Sequence, residues 1–334
     1  MKTDAKPKQV AAVRVITEPG LSAQAMPESS PAKIREELVG LPTSVSRSNQ
    51  TRIPEPYKLI ARKRHPENSV VSVDDVKIGD SELTIIVALS NIESREKAFC
   101  IAETLHRSGA QFLHYSAVKP PGSPFALKSK EQEALKLGAE IKAQFGLKIV
   151  VEVVDEATVD IAERYSDIIQ IGGRNMQNFS LLRRAGRSHV PVILKRAVGA
   201  TVDDWLLAAE YILVGGNARV VLCERGIRTF NEYTHATLDL ASIPCVRRVS
   251  HLPILVDPSH STGTAFMVAP LACAAIAAGA HGLLVEVNNE PNSSSADALG
   301  ALTLKQYQQM ISTVRAIHHT VSNGCRQSRA LSAF

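Results

Sequence analysis

Charged side chains repeatedly stand directly behind short apolar runs between residues 83 and 300 of the 334-residue chain. Four of them are cations, and three others form a group of one imidazole and two carboxylates. So many charged groups in corresponding places indicate a site. The cations are Lys119, Arg174, Lys195 and Arg225, the second group is His260, Glu286 and Asp297, and the polar residues in similar places include Ser90, Glu152, Arg196, Glu224 and Asp257.

The four cations predict a site for an anionic substrate. Guanidinium and ammonium groups bind phosphate and carboxylate oxygens through charge-assisted hydrogen bonds. In "IGGRNMQNF" (171–179), Gly172 and Gly173 permit close backbone approach where we expect a helix N-terminus with free N–H groups. A single Lys or Arg behind a strand is usually solvated or ion-paired, but four of them favour a phosphorylated or carboxylated ligand.

The group of His260, Glu286 and Asp297 suits a divalent transition metal with an open coordination position. Each residue also has a structural alternative. His260 in "DPSHSTG" could cap a helix, and Asp297 in "NSSSADALG" could be a turn or N-cap residue. Glu152 and Glu224 could be buried structural carboxylates.

Eight short β-rich runs alternate with helix-like segments and must position these side chains. Continuous apolar strands are typical of parallel sheets buried on both faces, and eight βα units in series predict a (β/α)8 TIM barrel with its site at the C-terminal strand ends. A doubly wound open sheet is the alternative, but the Gly-rich first turn common in that fold is absent. The predicted strands are residues 83–89, 111–115, 148–154, 167–171, 190–195, 219–224, 252–257 and 282–287.

The first 52 residues differ in amino-acid composition from the rest of the chain. They mix Pro, Ser, Gln and Lys, as in "EPGLSAQAMPESSPAK", which predicts a short, partly flexible N-terminal extension. We therefore expect a barrel catalytic domain over residues 53–334.

Composition excludes several classes of protein. A net charge of +5 and 4% aromatic residues give no footprint for nucleic acid. Five scattered cysteines without CxxC spacing indicate reduced thiols. No secretory signal and no apolar run of about 18 residues is present, so we expect a cytoplasmic protein without a membrane partner.

Several segments together resemble the class I DAHP (3-deoxy-7-phosphoheptulonate) synthases, most closely their microbial Iβ-type branch. The motifs are "IGGRNMQNF", "ILKR", "LCERGIRTF", "LPILVDPSHSTG" and "LLVEV", and the similarity runs from near Pro56 to near residue 318. The resemblance implies a (β/α)8 barrel, a homo-oligomer and a transferase at the entry of the shikimate pathway. Such an enzyme condenses phosphoenolpyruvate with erythrose 4-phosphate and releases phosphate, assisted by a divalent metal ion of the Mn, Fe, Zn or Co class.

The resemblance also implies a role for each site residue. Lys119 would contact phosphoenolpyruvate and lie near the aldehyde oxygen as a proton donor, and the candidate catalytic residues are Lys119 and His260. Phosphoenolpyruvate would be held by Lys119, Arg174, Lys195 and Arg225. The metal ligands would be His260, Glu286 and Asp297.

This sequence departs from the family pattern at the metal. Ser90 in "ALS" stands where the family's "GPC" places a cysteine ligand. Because a serine hydroxyl stays protonated, we expect weaker metal binding, or its loss, and a preference for harder ions.

Further departures lie on the substrate side. "KPPGSP" has Pro121 and Gly122 where the family's "KPRTSP" binds the phosphate of erythrose 4-phosphate, His114 replaces a family Arg, and "TGTA" (262–265) replaces "GGRR". Each lost charge-assisted contact is worth about 1.5–3 kcal/mol, so erythrose 4-phosphate should bind more weakly. The regulatory domain common at the N-terminus of this branch is missing, and we expect no feedback control through it.

Three hypotheses follow. The first is a DAHP synthase, the second a divergent paralogue that condenses phosphoenolpyruvate with a different aldehyde in specialised metabolism, and the third a non-catalytic pseudoenzyme. The three metal-type ligands and four cations argue against the third, and we favour the family activity.

Overall fold

The structure, a computed structural model, describes residues 57–89, 94–115, 131–288 and 300–331. The predicted N-terminal extension, residues 1–52, lies outside these ranges, so its boundary with the barrel stays a prediction. Within the described residues, no helix is long and apolar enough to cross a membrane.

Eight parallel strands close into a barrel, which confirms the predicted fold. Each predicted strand is present, with ends that lie within two residues of the predicted ones, and a short antiparallel hairpin precedes them. The hairpin is β1 (Val71–Val73) and β2 (Val76–Ile78), and the barrel strands are β3 (Thr84–Leu89), β4 (Phe112–Tyr115), β5 (Lys148–Val153), β6 (Ile168–Ile171), β7 (Val192–Lys195), β8 (Val220–Glu224), β9 (Ile254–Val256) and β10 (Gly282–Val287).

Helices follow the strands and cover the outside of the barrel. In β3 all six residues are buried, because alternate side chains face the barrel interior and the helices. The helices are α1 (Arg95–Arg107), α2 (Glu131–Phe145), α3 (Glu156–Ala162), α4 (Phe179–Gly186), α5 (Val202–Val214), α6 (Ser242–Val249), α7 (Pro258–Thr262), α8 (Ala265–Ala277) and α9 (Leu304–Leu331).

Helix α5 shows why the sequence forms these elements locally. Thr201 and Asp204 make a reciprocal capping box at its start, which satisfies N–H groups that the first turn leaves unpaired. The only tryptophan, Trp205, is fully buried and donates its indole N–H to the carbonyl oxygen of Leu194 at 3.1 Å. The side chain therefore fastens α5 to the end of β7, the strand that carries Lys195.

The hairpin closes the N-terminal end of the barrel. Val71, Val73 and Ile78 are buried in the same apolar cluster as interior residues such as Ile86 and Phe112. Sequence reasoning did not predict these two strands, because each has only three residues and gains its burial from the barrel. With this end plugged, a ligand can approach the barrel interior only from the C-terminal ends of the strands, which we call the mouth.

Acid should destabilise the N-terminal end through His281. The Nδ1 atom of His281 accepts a hydrogen bond from the backbone N–H of Ile254 at 3.1 Å, and burial, together with the charge of Arg247, lowers the pKa of His281 to about 4. Because this pKa lies below the ordinary value of 6.5, the stabilisation by the neutral ring is complete above that pH and is lost as the pH falls toward about 4. We expect the melting temperature to be lower by about 5 °C at pH 5 than at pH 7.

The matched variant is His281→Asn, whose Oδ1 can accept the same hydrogen bond without titrating. Its melting temperature, followed by circular dichroism, should depend less on pH over this range. An equally steep dependence in both proteins would assign the acid sensitivity to other groups.

Candidate active site

The mouth of the barrel contains a cavity of about 520 Å³. Five of the seven predicted site residues line it together, although they come from five different strand ends. The remaining two, Lys119 and Asp297, lie outside the described residues, as does Ser90. The five that meet are Arg174, Lys195, Arg225, His260 and Glu286.

Asp257 joins two of these residues from beneath the cavity. Its Oδ2 atom lies 2.6 Å from the Nζ of Lys195 and 2.7 Å from the Nδ1 of His260. The Lys195 contact is a hydrogen bond, whereas the His260 ring nitrogen is close to the carboxylate but not aligned for one. Asp257 has no exposed surface, so it is a buried anion shared by a cation and an imidazole.

These contacts determine the protonation states of Lys195 and Asp257. Burial by itself lowers the pKa of Lys195, but Asp257, with smaller contributions from other neighbours such as Glu152, holds this pKa above its usual value. Burial would raise the pKa of Asp257, but His260 and Lys195 together bring it far below its usual range. At neutral pH, Lys195 is therefore a protonated ammonium and Asp257 a carboxylate.

The short helix α7 positions His260. Pro258 occupies its first turn, and the other carboxylate oxygen of Asp257 accepts the backbone N–H of His260 at 3.0 Å. The Oγ of Ser259 accepts the backbone N–H of Glu286 at 3.0 Å, which ties α7 to β10. The Nε2 of His260 and the Oε1 of Glu286 are consequently 3.7 Å apart.

The segment that carries Arg174 differs from the predicted helix N-terminus. Residues Gly173–Asn175 form one 3-10 turn, and α4 begins only at Phe179, where the side chain of Asn178 accepts the N–H of Leu181. The glycine does permit a close backbone approach, but the neighbour is another part of the protein and not a ligand. A Cβ at Gly173 would lie 2.7 Å from the carbonyl oxygen of Arg196. Gly173 therefore lets the loops after β6 and β7 pack together, whereas Gly172 faces the side chain of Glu152 on β5.

Glu224 has the structural role that was the alternative in the sequence. It is fully buried, and it accepts hydrogen bonds from Arg196 at 3.0 Å and from the backbone N–H of Gly226 at 2.6 Å. Arg196 also donates to Asp239 at 2.8 Å and to the carbonyl oxygen of Ala200 at 3.0 Å. Of the neighbours Lys195 and Arg196, only Lys195 lines the cavity.

Sequence reasoning missed several residues of the cavity wall. Glu232, Tyr233, Thr234 and His235, in the loop after β8, line the cavity. They follow "LCERGIRTF" in the sequence, but no periodic pattern distinguishes a loop that folds over a mouth from one that points away. Asp257 was seen at a strand end but was given no role, because its two partners come from distant parts of the chain.

Two of the three predicted metal ligands, His260 and Glu286, lie in the described residues. Among the described residues, no group of three His, Cys, Asp or Glu side chains is arranged to hold a metal ion. The pair of His260 and Glu286 nevertheless has a suitable spacing, since adjacent ligands about 2.0–2.2 Å from a tetrahedral metal are about 3.4 Å apart. Asp257 lies 2.7 Å from the other ring nitrogen, where metal-binding histidines commonly have a carboxylate. The described donors therefore fit a divalent cation.

A parallel barrel whose mouth carries clustered cations is typical of enzymes that act on small phosphorylated molecules. Residues 59–322 match the DAHP synthetase I family. The chain thus belongs to that family and is an enzyme of its type, as the motifs predict.

Individual relatives agree with this assignment. A phospho-2-dehydro-3-deoxyheptonate aldolase of Thermotoga maritima is 42% identical over 266 residues, which are 80% of this chain and 79% of the relative. A 2-dehydro-3-deoxyphosphooctonate aldolase of Syntrophobacter fumaroxidans is 28% identical over 73% of this chain and 90% of its own length. The predicted family, including its Iβ-type branch, is confirmed.

Solved structures show the same fold. The crystal structure of the Thermotoga maritima DAHP synthase superimposes with a TM-score of 0.77 at 41% identity, over 81% of this chain and 79% of that one. A truncated form of the 3-deoxy-D-arabino-heptulosonate 7-phosphate synthase of this organism gives a TM-score of 0.74 at 39% identity, over 80% of this chain and 98% of that one.

Proposed function

We propose that the protein is a DAHP synthase that condenses phosphoenolpyruvate with erythrose 4-phosphate at the entry of the shikimate pathway. C3 of phosphoenolpyruvate attacks the aldehyde carbon, water adds at C2, and inorganic phosphate leaves. Family membership over most of the chain carries this proposal, and it favours the family activity over both an altered aldehyde and a non-catalytic protein.

Arg174, Lys195 and Arg225 bind the phosphate and carboxylate of phosphoenolpyruvate in this proposal. All three line the cavity, and Lys195 keeps its charge at neutral pH because Asp257 raises its pKa. The cations hold the anionic ends of the substrate, so C3 is oriented toward the second substrate. Lys119, outside the described residues, completes this set and donates the proton to the aldehyde oxygen.

His260 and Glu286, with Asp297 from outside the described residues, would hold a divalent metal ion. Such an ion, when bound, polarises the aldehyde carbonyl as a Lewis acid. Asp257 accepts the backbone N–H of His260 and lies beside its ring, and Ser259 holds the backbone of Glu286. Ser90 stands in place of the family cysteine, and the prediction of weakened metal binding follows from this serine.

The acceptor side is the part of the site where this chain differs most. Pro121 and Gly122 lie outside the described residues, and the lower affinity for erythrose 4-phosphate stays a prediction. Thr264, which stands where the family pattern has an arginine, lines the cavity together with Thr262 and Gly263. We also propose a homo-oligomer, by analogy with the family.

Substitution of Gly173 should weaken phosphoenolpyruvate binding without touching a charge. In Gly173→Ala, the new Cβ meets the backbone oxygen of Arg196, so the turn that carries Arg174 must shift. We expect the KM for phosphoenolpyruvate to rise by about tenfold, because small displacements of binding groups have large effects.

Steady-state kinetics would check this, with Gly199→Ala as the control. A Cβ at Gly199 meets nothing within 4 Å, so that variant should behave as the unsubstituted enzyme. An unchanged KM in Gly173→Ala would show that Arg174 does not depend on the tight turn.

The proposed activity can be tested by measuring phosphate release from phosphoenolpyruvate. Release should require erythrose 4-phosphate, fall on addition of a chelator and return with Mn²⁺. Arg225→Met should raise the KM for phosphoenolpyruvate, whereas Arg164→Met, at an exposed position after α3, should not. Release with another aldehyde but none with erythrose 4-phosphate would contradict the proposal in favour of an altered acceptor. Absence of phosphoenolpyruvate binding in calorimetry would favour a non-catalytic protein.

A further inference from the structure

His114 is a buried polar side chain in the wall of the cavity. It lies on β4, opposite Ala88 of β3 in the register of the barrel, and it is 4% exposed. It occupies a place where the resemblance implies an arginine, so its function cannot be carried over from the family. The role of His114 must be inferred from its surroundings in this chain.

The Nε2 atom of His114 has no hydrogen-bond partner among the described residues. Buried polar atoms nearly always have a partner in protein, water or ligand, because an unpaired one is strongly disfavoured. His251 provides the contrast at the opposite end of the barrel. It is 6% exposed, and both of its ring nitrogens are paired, with the Oγ of Ser69 at 2.7 Å and the carbonyl oxygen of Leu59 at 2.8 Å.

The ring of His114 is neutral at physiological pH. Burial lowers the pKa of His114 to about 3, and the positive charges of Lys195 and His260 act in the same direction. A neutral imidazole has one donor and one acceptor nitrogen. His114 therefore does not replace the family arginine as a cation.

We propose that His114 is a substrate-binding residue whose Nε2 forms an uncharged hydrogen bond with an oxygen of bound phosphoenolpyruvate. The inference rests on the proposed function, since Lys195, whose charge acts on the His114 ring, is one of the cations assigned to this substrate. The substrate oxygen supplies the partner that Nε2 lacks among the described residues.

Steady-state kinetics on three variants would test this role. Because one neutral hydrogen bond is lost, His114→Leu should raise the KM for phosphoenolpyruvate by about 3- to 10-fold. Its kcat and its KM for the aldehyde should stay within about twofold of the values of the unsubstituted enzyme. His114→Gln, whose terminal amide reaches the position of Nε2, should restore the KM. His114→Asn, whose amide is shorter, should not.

Controls separate binding from stability. His251→Leu also removes a buried histidine, and it should lower the melting temperature while leaving the KM for phosphoenolpyruvate unchanged. If His114→Leu does not fold, the KM for phosphoenolpyruvate of His114→Gln is compared with that of His114→Asn instead.

The inference is overturned if folded His114→Leu or His114→Asn keeps the original KM for phosphoenolpyruvate. It is also overturned if His114→Gln binds as weakly as His114→Asn, or if only the KM of the aldehyde changes. Calorimetry with the unsubstituted protein and phosphoenolpyruvate separates failure of the proposed function from failure of the role of His114. Absence of binding there contradicts the proposed function itself, whereas binding that is insensitive to His114 contradicts only its role.

Discussion

Asp257→Asn should reduce both turnover and stability. The asparagine keeps an oxygen that can accept the backbone N–H of His260, so α7 can still form. It removes the negative charge shared by Lys195 and His260, which leaves a buried ammonium without its counter-ion. Breaking a buried ion pair by removal of one partner costs about 3–5 kcal/mol, and loss of a carboxylate that orients a ligating histidine typically lowers activity by about 10- to 100-fold.

The measurements are kcat from phosphate release and the free energy of unfolding in urea. Asp167→Asn is the matched control, because Asp167 pairs with Lys142 and accepts the N–H of Ile149 at the other end of the barrel. That variant should lose stability and keep its kcat. A stable Asp257→Asn enzyme with full turnover would reduce Asp257 to a helix cap.

Arg196→Met should unfold more easily without a selective effect on substrate binding. Methionine fills much of the volume of the arginine. It removes the hydrogen bond from Arg196 to the buried Glu224 carboxylate, which keeps the one from the backbone N–H of Gly226. Burial already raises the pKa of Glu224 above its usual value, because the charged form is disfavoured there. We expect a loss of about 3–5 kcal/mol in the free energy of unfolding.

A double variant tests the cause of this loss. If the unpaired Glu224 carboxylate is responsible, Arg196→Met combined with Glu224→Gln should recover part of the stability lost in the single variant. Additive losses in the double variant would instead assign the effect to the contacts of Arg196 with Asp239 and Ala200. The KM for phosphoenolpyruvate of the folded fraction should stay near that of the unsubstituted enzyme, in contrast to Arg225→Met.

The barrel could be predicted because its signals are local. Runs such as "TIIVAL" and "GLLVEV" are apolar throughout, and this occurs where both faces of a strand are covered. Helix caps such as Thr201 and Asp257 act on residues only a few positions away. The hairpin was missed because its strands are short and owe their burial to residues far along the chain.

Five residues of the candidate site could also be predicted from local signals in the sequence. Placement behind a strand brings a side chain to the mouth, so Arg174, Lys195, Arg225, His260 and Glu286 could be predicted as neighbours without knowledge of any distance. Their family was recognisable from contiguous motifs, and the comparisons confirmed it.

The sequence by itself determined the fold class, the family and the placement of five site residues at the mouth, because strand periodicity and motifs depend on neighbours along the chain. Only the tertiary structure decided how those residues act on one another. Asp257 contacts Lys195 and His260, Glu224 is a structural partner of Arg196, and His114 is neutral with a ring nitrogen that has no partner in the described part of the chain. These properties depend on burial and on charges from distant strands, which meet only when the barrel closes.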